Sequence, residues 1–220
     1  MNAELDVVYE SSLQFFGKMN ASISHEINNV LAIINENAGL LEDFAIMADK
    51  ETPIDPARLK TMAGKILAQI KRADTMIKNM NKFAHSVDER IKYVDLNDLL
   101  ELAVALSNRF ASMRGVTLEL DTSTNPLLIT TNNFFLQNLL WQCLDFSMDA
   151  AGRGKTVSLN AEITENHAVI RFSQLNGLKD APEMVSPVTI ESLLDALKGG
   201  LTTDIEAGVM NLILPPDINR

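Results

Sequence analysis

Residues 16–41, FGKMNASISHEINNVLAIINENAGLL, carry the pattern that decides the fold of this chain. Six apolar residues in this stretch are separated by seven, four, three, four and seven positions, which is the spacing of one face of an α-helix. They are Phe16, Ile23, Ile27, Val30, Ile34 and Leu41. At about 100° of rotation per residue they fall in a sector of roughly 60°, a narrow seam of the kind that packs helix against helix. The stretch therefore predicts a long helix with at least one helical neighbour.

His25 lies on the opposite side of this helix from the seam, so its imidazole is expected to face water. Asn29 follows one turn later on the same side, and Glu26 flanks the histidine. A lone exposed histidine is most often only a solvated residue. An imidazole beside a carboxylate and a carboxamide in the middle of a helix is nevertheless poorly explained by packing, which makes His25 a candidate for chemistry.

Composition narrows the possible partners. The 220 residues carry 19 basic and 29 acidic side chains, for a net charge of −10, and the isoelectric point is near 4.8. Such a balance argues against nucleic acid as a partner, because phosphate backbones are bound by basic surfaces. The single cysteine, Cys143, excludes an internal disulfide and a cysteine metal cluster. We expect a soluble, cytoplasmic chain with no membrane partner, because it has no long apolar run and its first residues do not resemble a signal peptide.

Two helices are expected at the N-terminal end. The first runs from about residue 4 to 48, and residues 49–56 interrupt it with two prolines. Asp55 can cap a second helix that begins at Pro56 and continues to about residue 86. Its apolar positions alternate by three and four: Leu59, Met62, Ile66, Ile70, Ala73, Ile77, Met80 and Ala84. We expect an antiparallel hairpin that forms a four-helix bundle with a second copy, in preference to a monomeric hairpin packed on the rest of the chain.

The remainder predicts an α+β sandwich, a sheet with helices on one face. Helices are expected at about 95–114, 132–151 and 189–198, and strands at 116–121, 127–130, 156–163, 167–173, 201–206 and 209–214. Gly115 ends the first of these helices, and alternating apolar and polar residues mark the strands.

Motifs in both halves resemble those of the bacterial sensor histidine kinases. Residues 24–29, SHEINN, followed by Leu31 and Ala32, resemble the H-box, in which a helical histidine carries a phosphoryl group. The later elements resemble the ATP-binding domain of the same family, with residues 93–96 as its opening strand and 135–140 as the start of its nucleotide-binding helix. The resemblance implies two domains: residues 1–88, for dimerisation and histidine phosphotransfer, and residues 93–220, a degenerate ATPase-like sandwich.

The nucleotide-binding positions depart from the family pattern. Where the family has a magnesium-binding asparagine and a small residue, this chain has Asp145 and Phe146. Leu175 stands at the position of the carboxylate that receives adenine's amino group, followed by Asn176 and Gly177. The next stretch, LKDAPEMVSPV, has two prolines and no glycine, so the glycine-rich phosphate loop is missing. The resemblance therefore implies no ATP and no other cofactor on this chain.

Among members of the family, the closest in type are the dimeric histidine phosphotransferases, which pass a phosphoryl group between receiver-domain aspartates without ATP. This resemblance implies that His25 is the phosphoacceptor, that Glu26 orients or deprotonates it, and that Asn29 positions a hydrolytic water. Response-regulator receiver domains would be the partners and would bring their own Mg²⁺. Two alternatives stay open: a divergent kinase that autophosphorylates His25, and a non-catalytic dimeric adaptor or response-regulator phosphatase. Val30 stands where the H-box normally has a proline, which predicts a straighter helix.

Overall fold

The computed structural model describes residues 3–50, 53–181 and 187–219. Two compact units divide the chain: one is Lys18–Lys82, which we call the hairpin unit, and the other, the sheet unit, combines Met1–Gly17 with Phe83–Arg220. The predicted domains, 1–88 and 93–220, assigned residues 1–17 to the hairpin, whereas the structure groups them with the sheet unit. The functional roles assigned to those domains stay predictions.

The predicted pair of helices is present. Helix α1 is Ala3–Asp49 and helix α2 is Pro56–Ala84. The Asp55 carboxylate accepts a hydrogen bond from the amide of Ala57 at 2.9 Å and caps α2, with Pro56 at the first helical position as expected. The connection between the helices is short, so they form a hairpin.

The buried face of the hairpin differs in part from the predicted seam. Ile23, Val30 and Met62 are buried, whereas Ile70 and Ile77 are 50% and 43% exposed. Asn37 is buried on α1, where its side-chain amide donates to the carbonyl of Ile33 at 2.7 Å. One neighbouring helix covers only part of a broad apolar stripe, and the rest of the stripe stays at the surface.

The sheet unit has the predicted α+β composition, and it includes the start of α1 and a short 3-10 helix at His85–Val87. In chain order its elements are β1 (Lys92–Asp95), α3 (Leu96–Arg114), β2 (Thr117–Asp121), β3 (Leu128–Thr131), α4 (Asn133–Ala151), β4 (Thr156–Ile163), β5 (Ala168–Ser173), α5 (Pro187–Leu197), β6 (Gly200–Asp204) and β7 (Val209–Leu214).

Capping residues fix the ends of α3 and α4. The Asp95 carboxylate accepts hydrogen bonds from the amides of Asn97 at 3.0 Å and Leu127 at 3.1 Å, so one side chain caps α3 and holds the approach to β3. Gly115 ends α3 in the left-handed conformation, at φ 68°. Asn132 caps α4 by accepting from the amide of Phe135 at 3.0 Å. These local contacts explain why the sequence located both helices closely.

Five strands form the main sheet in the order β2-β4-β5-β7-β6, with β2 parallel to β4 and the remaining neighbours antiparallel. Strands β1 and β3 pair separately. Alternate residues of the central strands are buried, as the predicted alternation requires: Val157, Leu159, Ile170, Phe172, Met210 and Leu212. Helix α3 contacts β2, and α4 contacts β4, α3 and α5. The core lies between this layer of helices and one face of the sheet.

Aromatic side chains connect the N-terminal segment of α1 to the rest of the sheet unit. Phe15 lies 5.4 Å from Phe83 and 5.9 Å from Phe134, measured between ring centroids. Phe16 stacks on Phe83 at 5.2 Å. Aromatic pairs at these distances stabilise beyond the burial of area alone, so the start of α1 is an integral part of this unit.

Candidate functional site

The hairpin unit places His25 at the surface, near the middle of a 47-residue helix. Its side chain is exposed, as predicted, and so is that of Asn29 one turn later. Because α1 is continuous on both sides of His25, the imidazole is presented on a rigid element and is open to an approaching protein surface. An exposed residue of this kind contributes little to folding.

Glu26 is held by a partner on the second helix. Its carboxylate lies 3.8 Å from the guanidinium of Arg72, and the Glu26 side chain is 25% exposed. This separation is longer than a hydrogen bond, so the two groups form a loose ion pair across the hairpin. To orient or deprotonate His25, Glu26 must exchange this contact for one with the imidazole. The weakness of an ion pair of this length makes such an exchange feasible.

Arg72 is a residue of this site that the sequence did not indicate. In the sequence it reads as one of two successive basic residues, Lys71 and Arg72, on a charged helix face. Only the register between the two helices brings its guanidinium opposite Glu26, one residue from His25. A guanidinium 3.8 Å from the Glu26 carboxylate is close enough to offset negative charge on this part of α1.

In the sheet unit, Arg114 contacts Asp145, the residue that the resemblance places at the family's magnesium-binding position. Its guanidinium donates to the carboxylate of Asp145 at 2.8 Å and to that of Asp149 at 2.8 Å. The Asp145 side chain is 15% exposed, so this is a shielded, charge-assisted contact. A protein cation therefore neutralises Asp145, and the arrangement does not fit a Mg²⁺ ion at that carboxylate.

Leu175 belongs to the core and is fully buried. Its backbone amide donates to the carbonyl of Gly208 at 3.0 Å, and its carbonyl accepts from the amide of Leu178 at 3.1 Å. An isobutyl group cannot accept a hydrogen bond from an adenine amine, and a buried amine without a partner is costly. The position that would read adenine is thus filled by packing.

Gly177 has a structural explanation. Its amide donates to the carbonyl of Ala150 at 2.8 Å, and a Cβ atom at this position would stand only 2.4 Å from the same oxygen. The glycine is required by the close approach of this loop to the end of α4, independently of any nucleotide. Asn176 beside it is exposed, and Phe146 is half-buried.

Residues 178–188, which stand where the family has its phosphate loop, fall partly outside the described residues, because these omit 182–186. Within the parts that are described, no group of three or more histidine, cysteine, aspartate or glutamate side chains is arranged to hold a metal ion. At the three positions described above, the chain has an arginine–aspartate pair, a buried leucine and a glycine pressed against α4.

The remaining candidate side chains have ordinary surroundings. His85 is exposed and its Nδ1 lies 2.7 Å from the carboxylate of Asp88, near the end of α2. His167 adjoins the turn between β4 and β5, where its backbone amide and carbonyl contact the Thr164 hydroxyl. Cys143 is completely buried in α4, and this burial raises the pKa of its thiol to about 12. It is a core residue.

No family profile matches this chain. Among solved structures, its neighbours are histidine kinase catalytic and dimerisation domains, as the H-box and the order of elements led us to expect. The kinase AdeS of Acinetobacter baumannii is 11% identical over 87% of this chain and 97% of that one, with a TM-score of 0.46. A histidine kinase from Burkholderia phymatum is 15% identical over 86% and 98%, with a TM-score of 0.45.

The kinase ThkA, in a complex with the response regulator protein TrrA, is 19% identical over 94% of this chain and 64% of that chain, with a TM-score of 0.47. At these identities the likeness concerns the fold alone. In the described residues, no helix has both the length and the apolar character that crossing a membrane requires. The chain itself combines a helical hairpin unit with a mixed α/β sheet unit.

Proposed function

We propose that this protein is a histidine phosphotransferase of a two-component phosphorelay, which passes a phosphoryl group between receiver-domain aspartates through His25 without using ATP. One contrast carries the proposal: His25 is free at the surface in an H-box-like sequence, whereas Asp145, at the position of the family's magnesium ligand, is neutralised by Arg114. The acceptor is retained and the means of charging it from ATP is not. A phosphoryl donor other than ATP is then required.

An aspartyl phosphate on a receiver domain is a donor of the right chemistry. A ring nitrogen of His25 attacks its phosphorus, the nitrogen–phosphorus bond forms, and the bond from phosphorus to the aspartate oxygen breaks. The electron pair leaves with the receiver carboxylate, and the other ring nitrogen gives up its proton. In this proposal Glu26 takes or orients that proton once it separates from Arg72. The reverse sequence charges a second receiver.

Charge at the reacting phosphoryl group has to be offset, and the hairpin unit offers the guanidinium of Arg72 for that role. Arg72 is half exposed and already lies beside the carboxylate next to His25. When Glu26 turns to His25, Arg72 becomes available to the phosphoryl oxygens. The receiver domain would supply magnesium on its own side of the interface.

A homodimer through the hairpins is the second part of the proposal. Leu67, Ile70 and Ile77 of α2 are 66%, 50% and 43% exposed, and Leu31 of α1 is 49% exposed. Spacings of three and seven place the three residues of α2 on one side of that helix, and Leu31 adds an exposed apolar residue on α1. Apolar surface of this kind marks an interaction site. A second hairpin that presents the same residues would complete a four-helix bundle.

Transfer of label from phosphorylated receiver domains tests the proposal. We expect the wild type to accept acid-labile phosphate from at least one member of a receiver panel, and His25→Gln to accept none while its thermal unfolding stays unchanged. His85→Gln is the matched control, since His85 is also exposed, and it should accept normally. Label that persists on His25→Gln and disappears from His85→Gln would identify His85 as the phosphoacceptor and contradict the proposal. Failure of every receiver to transfer would favour the adaptor alternative.

A further inference from the structure

The sheet unit contains a cavity of about 420 Å³ where the start of α1, the segment after α2 and the first turn of α4 meet. Aromatic rings form much of its wall: Tyr9 and Phe135 lie 6.5 Å apart, and Phe16 and Phe134 lie 6.3 Å apart, between centroids. The volume falls within the range of sites for small organic ligands. It lies in a different unit from His25, and its lining does not include Asp145, Phe146 or residues 175–177.

Two of the residues that line this cavity carry a buried hydroxyl group without a hydrogen-bond partner among the described residues. Ser12 on α1 is 4% exposed and Ser86 after α2 is fully buried, and neither side-chain oxygen is satisfied. A buried hydroxyl without a partner is costly, and native structures rarely keep one unless a water molecule or ligand completes it. Two of them in the wall of one apolar cavity indicate a ligand with a hydrogen-bonding group.

The charges around the cavity favour an anionic group. Arg90 lines it, and so do Asn132 and Phe134 at the N-terminal end of α4. The first amides of this 19-residue helix have no intrahelical partner, as in any α-helix. Asn132 accepts a hydrogen bond from one of them, that of Phe135. These amides and the helix dipole attract negative charge. Glu89 is the opposing charge in the wall, and both Glu89 and Arg90 are exposed to solvent, so the preference for an anion comes from the helix end and the buried hydroxyls.

We infer that this cavity binds a small amphipathic anion, a molecule with an apolar body and one carboxylate. The body lies among Tyr9, Phe16 and Phe135, and the carboxylate accepts hydrogen bonds from Ser12 and Ser86 and faces Arg90. Water alone would satisfy the hydroxyls but would also wet the aromatic wall, which an apolar body covers. The site is independent of the proposed phosphotransfer, because none of its residues belongs to the hairpin unit.

Decanoate is the probe, and 1-decanol is its neutral counterpart. In the full-length protein, NMR signals from the methyl groups of Leu13 and Val87 should shift on addition of decanoate, while those of Ile70 and Ile77 should not. The first pair lines the cavity, and the second pair lies on the hairpin. Decanol should bind at least tenfold more weakly, since hydrogen bonds to a charged group are about twice as strong as neutral ones.

Serine variants separate a ligand site from a structural role. Ser12→Ala and Ser86→Ala should each weaken decanoate binding about tenfold, which is the worth of a typical hydrogen bond to a charged group. Each should also raise the melting temperature of the free protein, because an unsatisfied hydroxyl is removed. Ser147→Ala is the matched control: Ser147 is equally buried and unsatisfied but does not line the cavity, so it should stabilise without affecting binding.

Charge variants complete the test: Arg90→Gln should weaken decanoate binding several-fold, whereas Glu89→Gln should leave it equal or stronger. Absence of decanoate binding at millimolar concentration would overturn the inference. So would equal binding of decanol, or affinity that survives both serine substitutions. Shifts of the Leu13 and Val87 signals with protein concentration alone would show that a second copy covers the cavity, and this too would overturn it.

Discussion

The residues that resemble the kinase motifs have opposite environments in the two units: they are exposed in the hairpin unit and packed in the sheet unit. In the hairpin, His25 and Asn29 are exposed and do nothing for packing, so their presence in an H-box-like pattern has no structural reason. In the sheet unit, two positions that the resemblance assigns to nucleotide binding contribute to packing: Leu175 fills the core, and Gly177 allows close contact with Ala150. Under the proposed function, positions that would contact a nucleotide serve the packing of the fold instead. Exposed residues such as His25 and Asn29 have no such role in packing.

The largest effect that tests this contrast is expected from Leu175→Asp. The substitution restores the residue type that the family uses for adenine, but it places a carboxylate in a fully buried position. We expect a loss of about 3–5 kcal/mol in the free energy of unfolding, as for an unpaired buried charge, and no gain in ATP affinity. Denaturant unfolding and ATP titration measure both quantities.

Leu175→Met is the control for volume and should cost less than about 1.5 kcal/mol. A Leu175→Asp protein that folds with wild-type stability and binds ATP more tightly would mean that this position still lines a nucleotide pocket. The contrast between the two units would then disappear.

Ile70→Glu tests the apolar stripe of the hairpin. Because Ile70 is half exposed, the hairpin itself should tolerate the charge, but a dimer interface would bury it. We expect the dissociation constant of the dimer to rise at least about a hundredfold, which corresponds to about 3 kcal/mol, with little change in circular dichroism. Sedimentation over a range of concentrations measures the effect.

Val188→Glu is the matched control, since Val188 on α5 is 60% exposed and lies in the sheet unit. It should leave the dimer unchanged. A wild type that sediments as a monomer at tens of micromolar would contradict the bundle.

A smaller effect is expected where Arg114 is removed. Arg114→Met leaves Asp145 and Asp149 without their cation, and the free energy of unfolding should fall by about 1–2 kcal/mol, because the contacts are charge-assisted but only partly shielded. Lys78→Met removes an exposed ion pair with Asp74 and should cost less than about 0.5 kcal/mol. Calorimetry of both variants checks the difference. Equal small losses would show that the Arg114 contacts are ordinary surface pairs.

The smallest effect concerns Cys143. Its pKa is raised to about 12 by burial, against an ordinary value of 9.0, so the folded state keeps the neutral thiol while the unfolded state ionises first. Stability from this group is therefore complete below pH 9 and declines as the pH rises from 9 towards 12. Between pH 8 and pH 10 the wild type should lose about 1 kcal/mol more than Cys143→Ala does. Parallel pH profiles of the two proteins would contradict the burial of this thiol.

Local chemistry explains why so much of the fold could be predicted from the sequence. Asp95 and Gly115 delimit α3 through contacts with immediate neighbours, and Asp55 with Pro56 does the same for α2. The exposure of His25 followed from helical periodicity, which depends on no distant residue. Alternating apolar residues located the strands for the same reason.

Features that depend on tertiary register could not be predicted. Arg114 meets Asp145 across 31 positions of sequence, and Arg72 meets Glu26 only through the pairing of two helices. The hydroxyls of Ser12 and Ser86 line one cavity although 74 positions separate them, and in sequence each reads as an ordinary polar residue. The buried side of α1 was only partly foreseen, because periodicity defines a stripe but not which part of it a neighbour covers.

The most direct measurement offers the protein two phosphoryl donors in parallel, radiolabelled ATP with magnesium and a labelled, phosphorylated receiver domain. We predict acid-labile label on the wild type from the receiver alone, its absence from His25→Gln, and its presence on Arg114→Met from the receiver but not from ATP. Label acquired from ATP by the wild type, with His25 as the modified residue, would contradict the account and identify the protein as a kinase.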